Sequence, residues 1–230
     1  MIVVIDGPAG AGKSTTAKAV ARIAGLDYID SGAIYRGFAV LYNQMNRDKV
    51  KFFEAIETEP LHFEFERDDS RVFLNNREVT GELRSDEVNE VVSEVAAMPE
   101  IRNQVSLHLK KAVKDHNNDC IAEGRDLGSV VFPEADLKFF LTADLDERAR
   151  RRHSEAAGTT ENQNEYFSKI RRNLSQRDHI DSSRKDAPLT KAQDAIELDT
   201  TSLSFDSQVN KITEAINRKR NEHSDSSLNE

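Results

Sequence analysis

The sequence predicts an α/β protein: a parallel β-sheet core flanked by helices, with a small antiparallel β-containing insert and a short lid. Three observations carry that expectation. The chain opens strand, helix, strand, helix; strict alternation interrupts this rhythm at 61–79; and apolar strands resume at 120 and 137 before a Gly/Thr/Asn/Gln-rich loop at 158–164.

Ile2 to Ile5 is a β-branched run without alternation, the pattern of a strand buried on both faces of a parallel sheet. A glycine-rich turn follows, then a helix over Ser14 to Ala24. Leu26 to Asp30 reads as a second strand, and from Ser31 a helix sets Ile34, Phe38, Leu41 and Met45 on one face. Leu61, Phe63 and Phe65 alternate as in a strand, with turn residues at Asp68 to Ser70 and at Asn75 and Asn76 to fold the chain back. Helical patterns cover Asp86 to Ala97 and, opening on Pro99, continue to about Val113. Cys120 to Gly124 and Leu137 to Leu141 are strands, followed by an arginine-rich helix from Asp144 and the loop at 158–164, a candidate mobile lid.

Phe167, Ile170 and Leu174 then stand at helical spacing, and the same spacing lands next on Arg177, Asp181 and Arg184. An apolar stripe thus turns charged without losing its period, as if the helix kept pointing inward while its target changed. Ala195 to Asp199 is the last strand, and a final helix runs from Phe205 to about Arg218. Residues 221–230 have almost nothing to bury and read as a disordered tail. The expected organisation is one domain over 1–220, with the insert at about 38–112 and the lid at about 152–170.

Composition narrows the function. A chain of 230 residues with 37% hydrophobic content and 11 Phe supports a sizeable core. A net charge of -9 argues against general binding to nucleic acid or anionic membrane, while leaving room for a local basic pocket. The single Cys120 excludes an intramolecular disulfide and a cysteine zinc cluster, and the six histidines show no metal-ligand spacing. The apolar run after Met1 is too short for a signal peptide or membrane span, so the expectation is a soluble, cytoplasmic protein, with a monomer as the default.

Gly7-Pro8-Ala9-Gly10-Ala11-Gly12-Lys13-Ser14 matches G-x-x-x-x-G-K-[ST] in full, between a buried strand and a helix, with Thr15 next. Such a loop converges backbone N–H groups on a β-phosphate at the positive end of a helix. Lys13 is expected to reach the β- and γ-phosphates and Ser14 to ligate Mg²⁺. A dinucleotide fingerprint fits poorly, since Thr15 stands where the third glycine belongs. A guanine-reading N-K-x-D is also missing: Asn210-Lys211-Ile212-Thr213 lacks the carboxylate. Neither Glu123-Gly124-Arg125-Asp126 nor Thr142-Ala143-Asp144 supplies the apolar run ending in aspartate of motor and transporter ATPases. Asp30, closing the second strand, is placed to help organise metal-bound water.

Arg36, Arg102, Arg125, Arg151, Arg152, Arg177 and Arg184 gather at strand ends and helix starts of an acidic chain. If the acceptor of a phosphoryl group is itself a phosphate, no general base is needed, and the barrier is mostly charge repulsion and alignment. Arginine forks meet that need. The plainer account of the Arg148, Arg150, Arg151, Arg152 cluster is a solvated face balanced by Asp144, Asp146 and Glu147; for Arg125 with Asp126, and for Arg177 with Asp181, it is a surface charge pair.

The stretches GPAGAGKST (7–15), DSGAIYR (30–36), EGRDLGSVVFP (123–133) and RDHIDSSRKDAPL (177–189) together closely resemble the bacterial cytidylate kinases, over about residues 2–217. The resemblance implies a P-loop kinase fold with a monophosphate-binding insert, and transfer of the γ-phosphoryl group of ATP to CMP or dCMP with Mg²⁺. It further implies that Ser31 and Asp181 hold the ribose, that Ser93, Arg102 and Asp126 read cytosine, and that Arg36, Arg125, Arg177 and Arg184 surround the acceptor phosphate and transferring group. Arg151 and Arg152 would close onto ATP, Tyr35 would join the acceptor site, and Lys13, Arg125, Arg177 and Arg184 would carry catalysis. A carboxylate or hydroxyl facing N4 and a guanidinium facing N3 suit cytosine, whereas uracil reverses both polarities. Ser129 departs from the threonine expected after Gly128, and 156–164 matches no motif, leaving lid contacts unassigned. A kinase for another small acceptor such as UMP or a non-nucleotide alcohol, and a silent ATP-binding regulator, are the alternatives.

Overall fold

The computed structural model describes residues 1–58, 61–65, 70–155, 163–184 and 186–227. Five parallel strands form the core sheet: β1 (Ile2–Asp6), β2 (Asp27–Asp30), β6 (Cys120–Glu123), β7 (Leu137–Thr142) and β8 (Ile196–Asp199), in the spatial order β2-β6-β1-β7-β8. β1 is central because its side chains are apolar on both faces. Val4 packs with Ile29 and Ala122 against α2 (Ser31–Gln44) and α5 (Pro99–Asp115). Val3 and Ile5 pack on the other face against α1 (Lys13–Ala24) and α8 (Phe205–Ser227). Since β1 is flanked by β6 on one side and β7 on the other, the chain crosses over it, and a crevice opens at the carboxyl ends of the strands.

The insert is a three-stranded antiparallel sheet, β3 (Leu61–Phe65), β4 (Ser70–Leu74) and β5 (Arg77–Glu78), in register from Leu61 opposite Leu74 to Phe65 opposite Ser70. Asn75 and Asn76 both take positive φ, 50° and 61°, as the tight turn after β4 requires. The sheet lies directly on α2, where a Cβ on Gly37 would come within 2.9 Å of Val72 Cγ1 and 3.1 Å of Phe63. Helix α4 (Asp86–Val95), capped by Ser85 accepting from Val88 N–H, packs on α2 beside it. The Asp68 to Ser70 turn lies outside the described residues except for Ser70.

Three elements differ from the sequence expectation. α3 (Lys49–Thr58) was not expected; it buries Phe52 and Ala55 and packs Phe53 and Ile56 on the same core, an apolar face little more than one turn long. A single π-helical turn spans Leu127–Val131 after β6. The last helix does not stop near Arg218: α8 runs to Ser227, so the stretch read as a disordered tail is helical through that residue, and 228–230 lie outside the described residues. Arg220 supplies a reason, donating to the carbonyl of Ala24 at 2.8 Å beyond the expected end. The arginine-rich helix is α6 (Leu145–Glu155), and α7 (Gln163–Ser183) carries the stripe ending in charge. Of the candidate lid loop, 158–162 lie outside the described residues. No helix among the described residues is long and apolar enough to cross a membrane.

Candidate active site

A cavity of about 780 Å³ opens at the carboxyl ends of β1, β2 and β6, bounded by the loop after β1, α2, α4, α6 and α7. At one end lies the glycine-rich loop. Gly7 has φ of 146°, and a Cβ there would stand 2.1 Å from the carbonyl oxygen of Leu141, so only glycine fits. Ala9, Gly10, Gly12, Lys13, Ser14 and Thr15 line the cavity, while Gly7, Pro8 and Ala11 shape the loop behind them. Lys13 Nζ donates to the Pro8 carbonyl at 2.9 Å. Burial, and then the charge of Arg125, lower its pKa to about 7.

Arg148 secures this loop from below. It is buried, and its guanidinium donates to Ala9 O at 3.0 Å and Ala143 O at 2.9 Å and pairs with Asp178 at 2.7 Å. The solvated-face account of the arginine cluster therefore fails for Arg148. It holds for Arg150, whose side chain is 63% exposed beside Glu147. Arg151 lines the cavity, pinned by Glu147 and by Thr200 Oγ1, each at 3.0 Å, and Arg152 lines it while paired with Glu155 at 2.9 Å.

Carboxylates face the loop from the neighbouring strands. Asp30 and Glu123 are register partners at the ends of β2 and β6, and Tyr28 donates its hydroxyl to Glu123. Burial, and then the Glu123 charge, push Asp30 up to about 6. Among the described residues no cluster of three or more His, Cys, Asp or Glu could cage a metal. One hydroxyl, Ser14, beside carboxylates fits Mg²⁺ that keeps its waters and takes phosphate oxygens as ligands.

Between the two ends lie cations. Arg36, Arg125, Arg177 and Arg184 all line the cavity. Arg36 is lowered to about 9, by burial and then by Arg177, and Arg177 to about 10, by burial and then by Arg125. Asp181 is buried between two of them: Arg125 Nε donates to it at 3.2 Å, and Arg184 approaches at 3.4 Å. The surface-pair account of Arg177 and Asp181 therefore does not describe Asp181.

At the far end Ser93 and Asp126 line the cavity, both buried, with Ser31 and Tyr35 alongside. Burial, ahead of the opposing effect of Arg102, raises the Asp126 pKa. Arg102 is paired to Asp126 and donates to Ala96 O at 3.3 Å, but does not itself line the cavity; it stands behind the carboxylate. The π-helical turn that presents Arg125 and Asp126 is pinned by buried Asp6, which accepts from Leu127 N–H at 3.0 Å and Gly128 N–H at 2.7 Å.

The family model described as cytidylate kinase matches residues 3–218. The chain belongs to the cytidylate kinase family. A cytidylate kinase of Carboxydothermus hydrogenoformans is 40% identical over 224 residues, spanning 95% of this chain and 98% of that protein. A cytidylate kinase of Fusobacterium nucleatum is 40% identical over 221 residues, with 95% and 98% covered. Among solved structures, the crystal structure of TT1252 from Thermus thermophilus aligns at 15% identity with a TM-score of 0.47, covering 95% of this chain and 97% of that one.

In this cytidylate kinase family member, several residues at the site carried no usable signal in the sequence. Leu203, Phe205 and Gln208 reach the loop end from the start of α8, with Gln208 accepting from Thr16 at 3.2 Å. Lys18, Arg84, Glu147 and Glu155 also face the cavity. They belong to no motif, and only packing brings them there. Asp6 closes β1 as its one polar residue.

Proposed function

We propose that this protein is an ATP-dependent (d)CMP kinase, transferring the γ-phosphoryl group of ATP to CMP or dCMP to give CDP or dCDP and ADP in pyrimidine nucleotide metabolism. The observation that supports it best is one cavity with a phosphate loop at one end, a buried serine and aspartate at the other, and arginines between. ATP would lie on Gly7 to Thr15, with Lys13 at its β- and γ-phosphates and Arg151 and Arg152 beside it. The acceptor base would meet Asp126 and Ser93, with Arg102 holding the carboxylate from behind, and its ribose would meet Ser31 and Asp181. Tyr35 would flank the acceptor.

Arg36, Arg125, Arg177 and Arg184 would neutralise and align the two phosphates, which is most of what the reaction asks of the protein. The acceptor oxygen is already anionic, so a missing general base is no defect. Ser14 would hold Mg²⁺, with Asp30 and Glu123 near its waters. Mg²⁺ would contribute charge neutralisation across the β- and γ-phosphates.

The unit proposed is one domain over about 1–220, with 38–112 as the acceptor insert and 152–170 as the lid, acting as a cytoplasmic monomer. The deciding experiment couples ADP release to a spectrophotometric readout over CMP, dCMP, UMP, AMP and GMP. CMP and dCMP should be the best acceptors; UMP or another acceptor turning over faster would overturn the reading. Sedimentation at the mass of one chain would bear on the monomer.

A further inference from the structure

Arg84 is absent from the arginines that motif and resemblance single out, yet it faces the same cavity. It stands just before α4, so it belongs to the insert rather than to the sheet. Its backbone is held there: Asn89 Nδ2 donates to Arg84 O at 3.0 Å. The oxygen of that same amide accepts from Arg36 Nη1 at 3.1 Å. One side chain therefore fixes the position of both arginines.

The Arg84 side chain is exposed, and among the described residues it makes no hydrogen bond or ion pair, although Asp86 and Glu87 open the adjoining helix. An exposed arginine beside acidic neighbours ordinarily collects one. This one instead lines the cavity with Asp30 and Arg36, near enough to act on the charge of each. Arg36 bears the repulsion of Arg177, Arg84 and Arg152, with the Asp30 carboxylate offsetting it. Four cations around one space outnumber that carboxylate, and a phosphate monoester offers the charge and oxygens that guanidinium forks take.

The insert also identifies which phosphate. Ser93 lies on α4, nine residues on from Arg84, which is on the order of 13 Å at helical rise and within the span of an extended nucleotide. A ligand with its base at Ser93 would bring its own phosphate toward Arg36 and Arg84, whereas the donor's phosphates belong at Lys13.

Resting on the (d)CMP kinase reading, we infer that Arg84 is a further substrate-binding residue, which the insert contributes to the phosphate of the acceptor nucleotide.

The experiment compares full-length wild type, Arg84→Ala and Arg84→Lys in steady-state kinetics, together with calorimetric binding of CMP and of cytidine, which lacks the phosphate. For Arg84→Ala, kcat/KM for CMP should fall on the order of ten- to a hundredfold, the worth of one charge-assisted hydrogen bond. KM for ATP should stay within twofold, CMP binding should weaken while cytidine binding is unchanged, and Arg84→Lys should recover part of the loss. Unfolding midpoints should match wild type, since the side chain is exposed. Equal weakening of CMP and cytidine, a loss confined to ATP, or no loss at all would overturn the inference. Wild type failing to phosphorylate CMP would instead refute the reading beneath it.

Discussion

Burial lowers the pKa of Lys13 to about 7, so in the nucleotide-free protein near pH 7.5 part of the population carries it as the neutral amine. A bound polyphosphate favours the charged form and raises that pKa again, which requires a proton to be taken up. Binding of MgATP should therefore take up a proton at pH 7.5 and much less at pH 6, and its apparent affinity should weaken as pH rises above about 7. Calorimetry in two buffers of different ionisation enthalpy measures this directly. Lys13→Ala should abolish the uptake and lower kcat at least about a hundredfold. If Asp126 reads the base as proposed, it bears on selectivity rather than rate: Asp126→Ala should narrow the CMP-over-UMP ratio of kcat/KM by about tenfold, leaving Arg102 without its carboxylate partner. An unchanged ratio would exclude Asp126 from base reading.

At the scale of elements, α6 and α7 do more than carry arginines toward ligand. Arg148 on α6 ties the Ala9 carbonyl of the phosphate loop to Asp178 on α7, next in sequence to Arg177. Removing it would strand a partly buried carboxylate and uncouple loop from helix. Arg148→Ala should cost about 2–4 kcal/mol in urea unfolding, against less than about 0.5 kcal/mol for the exposed Arg150→Ala. The α7 stripe was legible in the sequence: Ile170, Leu174 and Asp181 are buried, and Arg177 lies on the same side. Arg184 completes the stripe from one residue beyond the helix end at Ser183. α3 was not legible, because its apolar face, Phe52, Phe53, Ala55 and Ile56, spans little more than one turn.

Taken whole, the molecule joins a rigid sheet to an insert across a cavity that a nucleotide would fill from both sides. A ligand that bridges two parts of one chain stabilises it by mass action. CMP at about a hundred times its Kd should add about 2.7 kcal/mol and raise Tm by roughly 5–10 °C, with UMP at equal concentration giving less. Differential scanning calorimetry checks this without turnover, and an equal shift from UMP would contradict cytidine selectivity.

The phosphate loop was determined by the sequence alone, because a strand, a turn needing glycine and a helix start are all fixed within about fifteen residues of local backbone preference. So was the central strand β1, whose unbroken β-branched run from Ile2 to Ile5 fits a sheet covered on both faces. The four quoted stretches also hold Arg36, Arg125, Arg177 and Arg184, all of which line the cavity. What tertiary structure decided is how equal residues divide their work. Arg148 is a buried staple, Arg150 is solvated, Arg102 stands behind Asp126, and Arg84 faces the cavity. Four arginines look alike in a sequence; burial and partners separate them, and both depend on which distant elements meet.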